Sequence, residues 1–297
     1  MKPAPFRYLR AGSVAEALSA LAAAGGEARL LAGGQSLVPA MNFRVARPPL
    51  LVDINAIPGL DAIRPTDGGG LVLGALVRHA ALARAPLVAE RAPLLAEAAR
   101  HIGHRAIRNR GTLGGSLAHA DPAAELPAVV VALGAEPRLA GPGGERGVAA
   151  DAFFRGPLLT ALDPEEMLVE LRLPAPALAW GFAELARRPG DYALAGVAAV
   201  LARGTPPRAR LVAFGAGPRP LRLPSAEHVL GDAVERVGAG GELDVETARR
   251  AGAAAGADVD PPSDVHASAD YRRHLVAVLT ERALLGAFDR LRAERRS

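Results

Sequence analysis

The chain contains no cysteine. That absence excludes disulfides, thiolate nucleophiles, cysteine-ligated zinc and any iron–sulfur cluster held by this polypeptide itself. Aromatic residues are scarce, at 4%, so a core has to be assembled from Ala, Val and Leu. Arginine vastly outnumbers lysine, yet the net charge is only +4 and no basic stripe interleaves with aromatics, which argues against nucleic acid as a partner. The Arg-rich run from Arg290 to Arg296 reads as the solvated end of a helix. No apolar stretch approaches membrane-spanning length, and Met1-Lys2-Pro3-Ala4-Pro5-Phe6 has no apolar h-region, so a soluble, cytoplasmic protein is the expectation.

What is present points to a globular protein of two or three lobes: 297 residues, half of them hydrophobic and 22% charged. One stretch organises the reading, Leu30-Leu31-Ala32-Gly33-Gly34-Gln35-Ser36-Leu37. A short apolar run ends in a glycine pair followed by two polar residues. Adjacent glycines let a loop present backbone N–H groups to an anion, and Ser36 adds a hydroxyl donor. Alone, the stretch reads more readily as an ordinary Gly-Gly turn between two strands. About eighty residues on, Arg110-Gly111-Thr112-Leu113-Gly114-Gly115-Ser116 repeats the chemistry. Two anion-cradling loops suit a ligand with two phosphates, a dinucleotide.

Along the chain, Ser13-Val14-Ala15-Glu16 predicts a capping box that opens a helix to Ala24, stopped by Gly25-Gly26. A strand over 29–32, a short helix over 37–41 and a buried strand over 50–54 complete a small α/β lobe. A hairpin turn at 67–70, a strand over 71–75 and a helical stretch from His79 to His101, broken near Pro86 and Pro93, follow. Asp121-Pro122 reads as an N-cap and first residue of a helix reaching Leu133. Hairpin strands over 135–140 and 146–149 precede a strand over 167–173, and Pro174-Ala175-Pro176 reads as a linker. Strands over 181–186, 193–201 and 211–215 and helices over 225–230, 245–255 and 270–291 give an α+β C-terminal lobe.

Four constellations carry candidate chemistry. Ser116, His119 and Asp121 hold the letters of a hydrolase triad, but six consecutive positions rarely bring a triad into register. His101, His104, His119, Asp121 and Glu125 match no common metal spacing and read as caps or surface residues, so no metal site is expected. Asp121 to Glu125 serves as a helix start, and the positive end of that helix would also face whatever the second loop holds. Arg187-Arg188-Pro189-Gly190-Asp191-Tyr192-Ala193 is a charged turn entering a strand.

The segments Ala32–Pro39 and Asn109–Pro127, with the opening Pro-Phe-x-Tyr, Leu51–Asn55, Pro164–Glu170 and Gly190-Asp191-Tyr192-Ala193, closely resemble the FAD-binding medium subunits of molybdenum hydroxylases. The resemblance is nearest the aerobic carbon monoxide dehydrogenase type, within the wider xanthine dehydrogenase family, and covers nearly the whole chain. It implies an α+β fold: two FAD-clasping subdomains of the vanillyl-alcohol-oxidase (PCMH) type, at 1–60 and 61–175, then a smaller domain at 177–297. It implies that Leu31, Ala32, Gly33, Gly34, Gln35, Ser36 and Leu37 hold the pyrophosphate. Thr112, Gly114, Gly115 and Ser116 would add contacts to the phosphates and ribityl chain, with His119, Asp121 and Glu125 in the same motif. Met167, Leu168 and Tyr192 fall in segments that approach the flavin ring. Covalent relatives of the wider superfamily often tether FAD through a His beside the glycine pair. Gln35 stands there in this chain, so the FAD is expected to be non-covalent.

The same resemblance implies an electron relay with no catalytic side chain here. Electrons would pass from a large molybdenum subunit, through [2Fe-2S] clusters on a small subunit, to FAD and then to quinone, NAD or another acceptor, in a dimer of heterotrimers. The alternatives are a self-sufficient FAD oxidoreductase of the same superfamily, against which the length argues, and a non-catalytic dinucleotide-binding protein.

Overall fold

The computed structural model describes residues 2–202, 208–238 and 241–296. The first segment builds β1 (Arg7–Arg10), α1 (Val14–Ala23), β2 (Arg29–Leu31), α2 (Leu37–Asn42) and β3 (Leu50–Asp53). Its three strands form a parallel sheet in the order β1-β3-β2. Ser13 caps α1 by accepting from the Glu16 amide at 3.1 Å, as the motif predicts. Glu16 reaches one residue further back than an ordinary capping box, accepting from the Gly12 amide at 2.7 Å.

The second segment runs β4 (Ile63–Pro65), β5 (Leu71–Gly74), α3 (His79–Leu82), α4 (Pro86–Arg91), α5 (Pro93–His101), α6 (Arg105–Arg110), α7 (Leu113–His119) and α8 (Glu125–Ala132). It continues with β6 (Glu136–Gly141), β7 (Gly144–Gly147), α9 (Ala150–Phe153), β8 (Phe154–Gly156), β9 (Leu159–Thr160) and β10 (Met167–Leu173). Five of these strands form a sheet in the order β4-β5-β10-β6-β7, while β8 and β9 pair separately. The prolines act where expected: Pro86 and Pro93 each sit in the first turn of a new helix.

Strand β10 shows how one sheet serves two cores. Met167 and Val169 pack with α1 and β3, whereas Leu168, Leu171 and Leu173 belong to the large core with α5, α7 and α8. A register shift against β6 between Leu168 and Glu170 switches the alternation, as a bulge does.

The third segment is an antiparallel sheet of β11 (Ala179–Ala186), β12 (Ala193–Ala202), β13 (Arg208–Phe214) and β14 (Leu221–Arg222), followed by α10 (Pro224–Gly238), α11 (Val245–Ala257) and α12 (Ala269–Arg296). Strand β12 is buried on both faces: Ala198 and Val200 join the large core, Ala195, Val197 and Ala199 the core beneath α10 to α12. This explains a strand written mostly in Ala and Val. Small residues also set the closeness of packing. A Cβ on Gly181 of β11 would lie 1.8 Å from the Ala283 carbonyl oxygen of α12.

That contact gives a stability test. Gly181→Ala forces backbone apart and should cost about 1–3 kcal/mol, the usual range for overpacking, read as a lower urea midpoint at unchanged slope. Gly143→Ala, whose added Cβ meets nothing within 4 Å, should leave the midpoint nearly unmoved.

Candidate cofactor-binding site

Strand β2 ends at Leu31, and the chain turns through Ala32 to Ser36 before α2. Gly34 makes the turn at φ +73°, where a side chain is strained. Gly33 is fixed by proximity instead, since a Cβ there would lie 2.4 Å from the Arg110 carbonyl oxygen and 2.9 Å from Gly111 Cα. The two glycine motifs therefore meet backbone to backbone. Asn55 Nδ2 donates to the carbonyls of Leu31 (3.2 Å) and Ala32 (2.9 Å), and Gln35 Nε2 to that of Gly33 (3.1 Å). The amides of Gly33, Gly34, Gln35, Ser36 and Leu37 donate to no acceptor among the described residues; α2 closes its first turn only with Val38 N–H on the Gly34 carbonyl, at 3.1 Å. The first motif is an open row of donors.

The second motif is built differently from the loop expected. Leu113 to His119 form α7, so Gly114 and Gly115 lie in its first turn. Thr112 is the N-cap, its Oγ1 accepting from the Gly115 amide at 3.1 Å. Leu113 N–H donates to the Val77 carbonyl, Gly114 N–H to Ala75 and Ser116 N–H to Thr112. These donors are already taken. What Gly114 supplies is room, because a Cβ there would come within 2.6 Å of Ala75 Cβ. Among the motif's polar groups the half-buried Ser116 hydroxyl has no hydrogen-bond partner among the described residues.

A hydrogen-bonded chain ties the two motifs together. Tyr8 Oη donates to Asp53 at 2.5 Å, and Asn55 donates to Asp53 at 2.6 Å. Arg78 Nη2 donates to Asn55 Oδ1 at 2.7 Å, and its Nη1 to the Arg110 carbonyl. Beside it, His79 is buried, and its Nε2 donates to the Thr112 carbonyl at 2.9 Å while Nδ1 has no partner among the described residues. Burial pushes this imidazole down to about 4, so it is neutral. Asn55, Arg78 and His79 are the residues that sequence reasoning missed. Asn55 stood in a recognised segment, but nothing in the sequence marked Arg78-His79 as the brace.

Beyond α7 the chain turns sharply. Ala120 is left-handed at φ 51°, and its carbonyl accepts from Leu158, itself at φ 55°, at 3.1 Å. Asp121 does not open a helix: its Oδ1 accepts from the Ala123 amide at 2.8 Å, capping a tight turn, and α8 begins at Glu125 behind Ala124. The Pro122 carbonyl takes the Gly215 amide at 2.8 Å, so this turn is spent on joining the C-terminal sheet. Glu125 is buried, and burial, with the charges of Glu184 and Asp121, pushes its carboxyl up to about 8. Tyr192 lies on the turn between β11 and β12 with much of its ring exposed, while partial desolvation of its hydroxyl and the charges of Asp121 and Glu125 raise that group. Leu168 is buried in the large core. Ser116, His119 and Asp121 make no hydrogen bonds to one another, and no metal-sized cluster of His, Asp and Glu forms among the described residues.

The comparisons with known proteins decide the family. The family model described as FAD binding domain in molybdopterin dehydrogenase matches residues 4–176, and that of the CO dehydrogenase flavoprotein C-terminal domain matches 180–287. The chain belongs to the FAD-binding medium subunits of molybdenum hydroxylases. It is 41% identical over 302 residues to the 6-hydroxypseudooxynicotine dehydrogenase complex subunit alpha of Paenarthrobacter nicotinovorans, covering 100% of this chain and 99% of that one. It is 39% identical to the carbon monoxide dehydrogenase medium chain of Hydrogenophaga pseudoflava, covering 98% and 99%. Among solved structures, carbon monoxide dehydrogenase from Hydrogenophaga pseudoflava superposes with a TM-score of 0.89 at 40% identity, covering 98% of this chain and 99% of that one. Quinoline 2-oxidoreductase from Pseudomonas putida 86 also gives 0.89, at 38% identity, covering 98% and 99%.

As a medium subunit the chain is part of an oxidoreductase, and FAD is its cofactor. The site fits that group: open amides in the first motif are what a pyrophosphate requires.

The brace carries a pH signature. A His held neutral in the fold but titrating near 6.5 when unfolded binds its proton only after unfolding, so stability falls as pH drops through that range towards 4. The His79 contribution to that loss is roughly 3 kcal/mol. His79→Gln, which keeps a donor for the Thr112 carbonyl, should lose less stability between pH 7 and 4.5 than wild type, measured by urea unfolding at each pH.

Proposed function

We propose that this chain is the electron-transfer subunit of its complex, receiving electrons from [2Fe-2S] clusters on a small partner subunit that a large molybdenum subunit feeds. The observation that carries the reading is the row of open amides from Gly33 to Leu37, set against a second motif whose donors are spent internally. The first motif holds the pyrophosphate of FAD, with Leu31 and Ala32 fixed behind it by Asn55. The second, through Thr112, Gly114, Gly115 and Ser116, supplies a close-packed floor and the Ser116 hydroxyl. His119, Asp121 and Glu125 border the ribityl side, and Tyr192 and Leu168 the ring side. Residues 1–60 and 61–175 act as the two halves of the clasp and 177–297 as the domain that closes it.

When bound, FAD supplies the redox chemistry, taking up electrons singly and passing on pairs. The chain's own residues bind it, orient it and exclude water. Gln35 beside the glycine pair has an amide that cannot bond the flavin covalently. The external acceptor, quinone or NAD, is reached directly from the flavin. The substrate of the complex is turned over on the molybdenum partner and not on this chain.

The test is to express the chain alone and with its two partner subunits. The lone chain should carry yellow flavin that denaturation and filtration release completely. Its flavin should stay oxidised when organic substrate is added, and should bleach rapidly only in the full complex. Bleaching by substrate in the lone chain would overturn the relay and favour a self-sufficient oxidoreductase.

A further inference from the structure

Glu125 is a buried acid without a cation to pair with. It is 7% exposed, and its carboxyl accepts only from its own amide at the first residue of α8. The groups facing it are mostly like-charged. Glu184 of β11 comes from the C-terminal sheet, its side chain 8% exposed and its Oε2 without a partner. Asp121 stands in the turn before α8, and the Tyr192 hydroxyl lies close by. Among the described residues the cation near it is His101 at the end of α5, and it is already shared. Its Nδ1 donates to Glu184 Oε1 at 3.1 Å, and its Nε2 lies 3.6 Å from Glu97 Oε1, whose other oxygen takes Arg100 at 3.2 Å. Arg210, the cation that β13 sends to α8, meets it at the far end, on the Val131 carbonyl.

A carboxyl so placed is cheaper to keep neutral than to ionise, because removing its proton puts a third negative charge beside Glu184 and Asp121 in a poorly solvated site. The neutral form has what a carboxylate lacks, an O–H donor. We propose that Glu125 meets the bound cofactor as a neutral carboxylic acid, donating its proton to a ligand oxygen, and that Glu184 and His101 are positioning residues that set its protonation. This rests on the reading above that Glu125 borders the bound FAD. Glu184 holds the proton on Glu125; His101, by offsetting Glu184, limits how tightly. Burial accordingly moves the Glu125 carboxyl to about 8, while hydrogen bonding to Glu184 raises the His101 imidazole.

The experiment titrates the full-length chain, stripped of flavin, with FAD at pH values from 6 to 9, following quenching of flavin fluorescence. Affinity should be flat at the acid end and weaken above about pH 8, by about tenfold for each further pH unit. Glu125→Gln keeps a neutral donor and should bind with little dependence on pH. Glu184→Gln should move the wild-type midpoint to lower pH, and His101→Gln should move it to higher pH; a purely structural role would shift neither. Affinity that is constant across the range, or that tightens as pH rises, would overturn the donor assignment while leaving the flavin reading intact. Absence of FAD binding at every pH would overturn both.

Discussion

The structure depends on a close backbone approach. Gly33 lies so near Arg110 and Gly111 that no side chain fits between them, and this contact brings the parallel-sheet lobe and the lobe that follows together at the two glycine motifs. Its consequence is electrostatic. The amides from Gly33 to Leu37 donate to no acceptor among the described residues, an arrangement costly to leave unsolvated and stable only when water or a ligand oxygen completes it. Each such amide gains about 1.5–3 kcal/mol as a hydrogen bond to a charged group, so on the proposed reading a few of them would suffice to retain a pyrophosphate.

Everything around that contact serves to hold it. The Tyr8–Asp53–Asn55–Arg78 chain runs from the first sheet to the Arg110 carbonyl, and His79 fixes the Thr112 carbonyl from below. The C-terminal sheet closes the opposite side. Its Gly215 amide binds Pro122, a Cβ on its Gly190 would lie 2.7 Å from the Gly103 carbonyl oxygen, and the turn between β11 and β12 brings Tyr192 beside Asp121 and Glu125. Two left-handed non-glycine residues, Ala120 and Leu158, bond each other at the same rim, and strain of that kind collects where a fold is held for a purpose.

Much of the fold was legible in the sequence because its signals are local. Ser13 and Glu16 cap a helix, Pro86 and Pro93 start new ones, and the apolar run over 167–173 is a strand with those bounds. The failures share a cause, tertiary competition for a local motif. Asp121-Pro122 has the letters of a helix start, yet Asp121 caps a turn because Pro122 is recruited by Gly215. Gly114-Gly115-Ser116 looks like a second anion loop, yet Val77 and Ala75 offer carbonyls that draw the chain into a helix. The brace through Arg78 and His79 joins residues far apart in the chain, and single-sequence patterns hold no record of such contacts. The family could still be recognised because long glycine motifs preserve the close approach even where their hydrogen bonding is misread.

The most direct measurement of this account is amide hydrogen exchange across the first motif, with and without FAD. If the open donors receive the pyrophosphate, the amides of Gly33 to Leu37 gain strong protection on FAD binding, while those of Leu113, Gly114 and Ser116, already bonded within the protein, change little. Protection that rises in α7 and leaves Gly33 to Leu37 exchanging freely, with FAD bound, would contradict it.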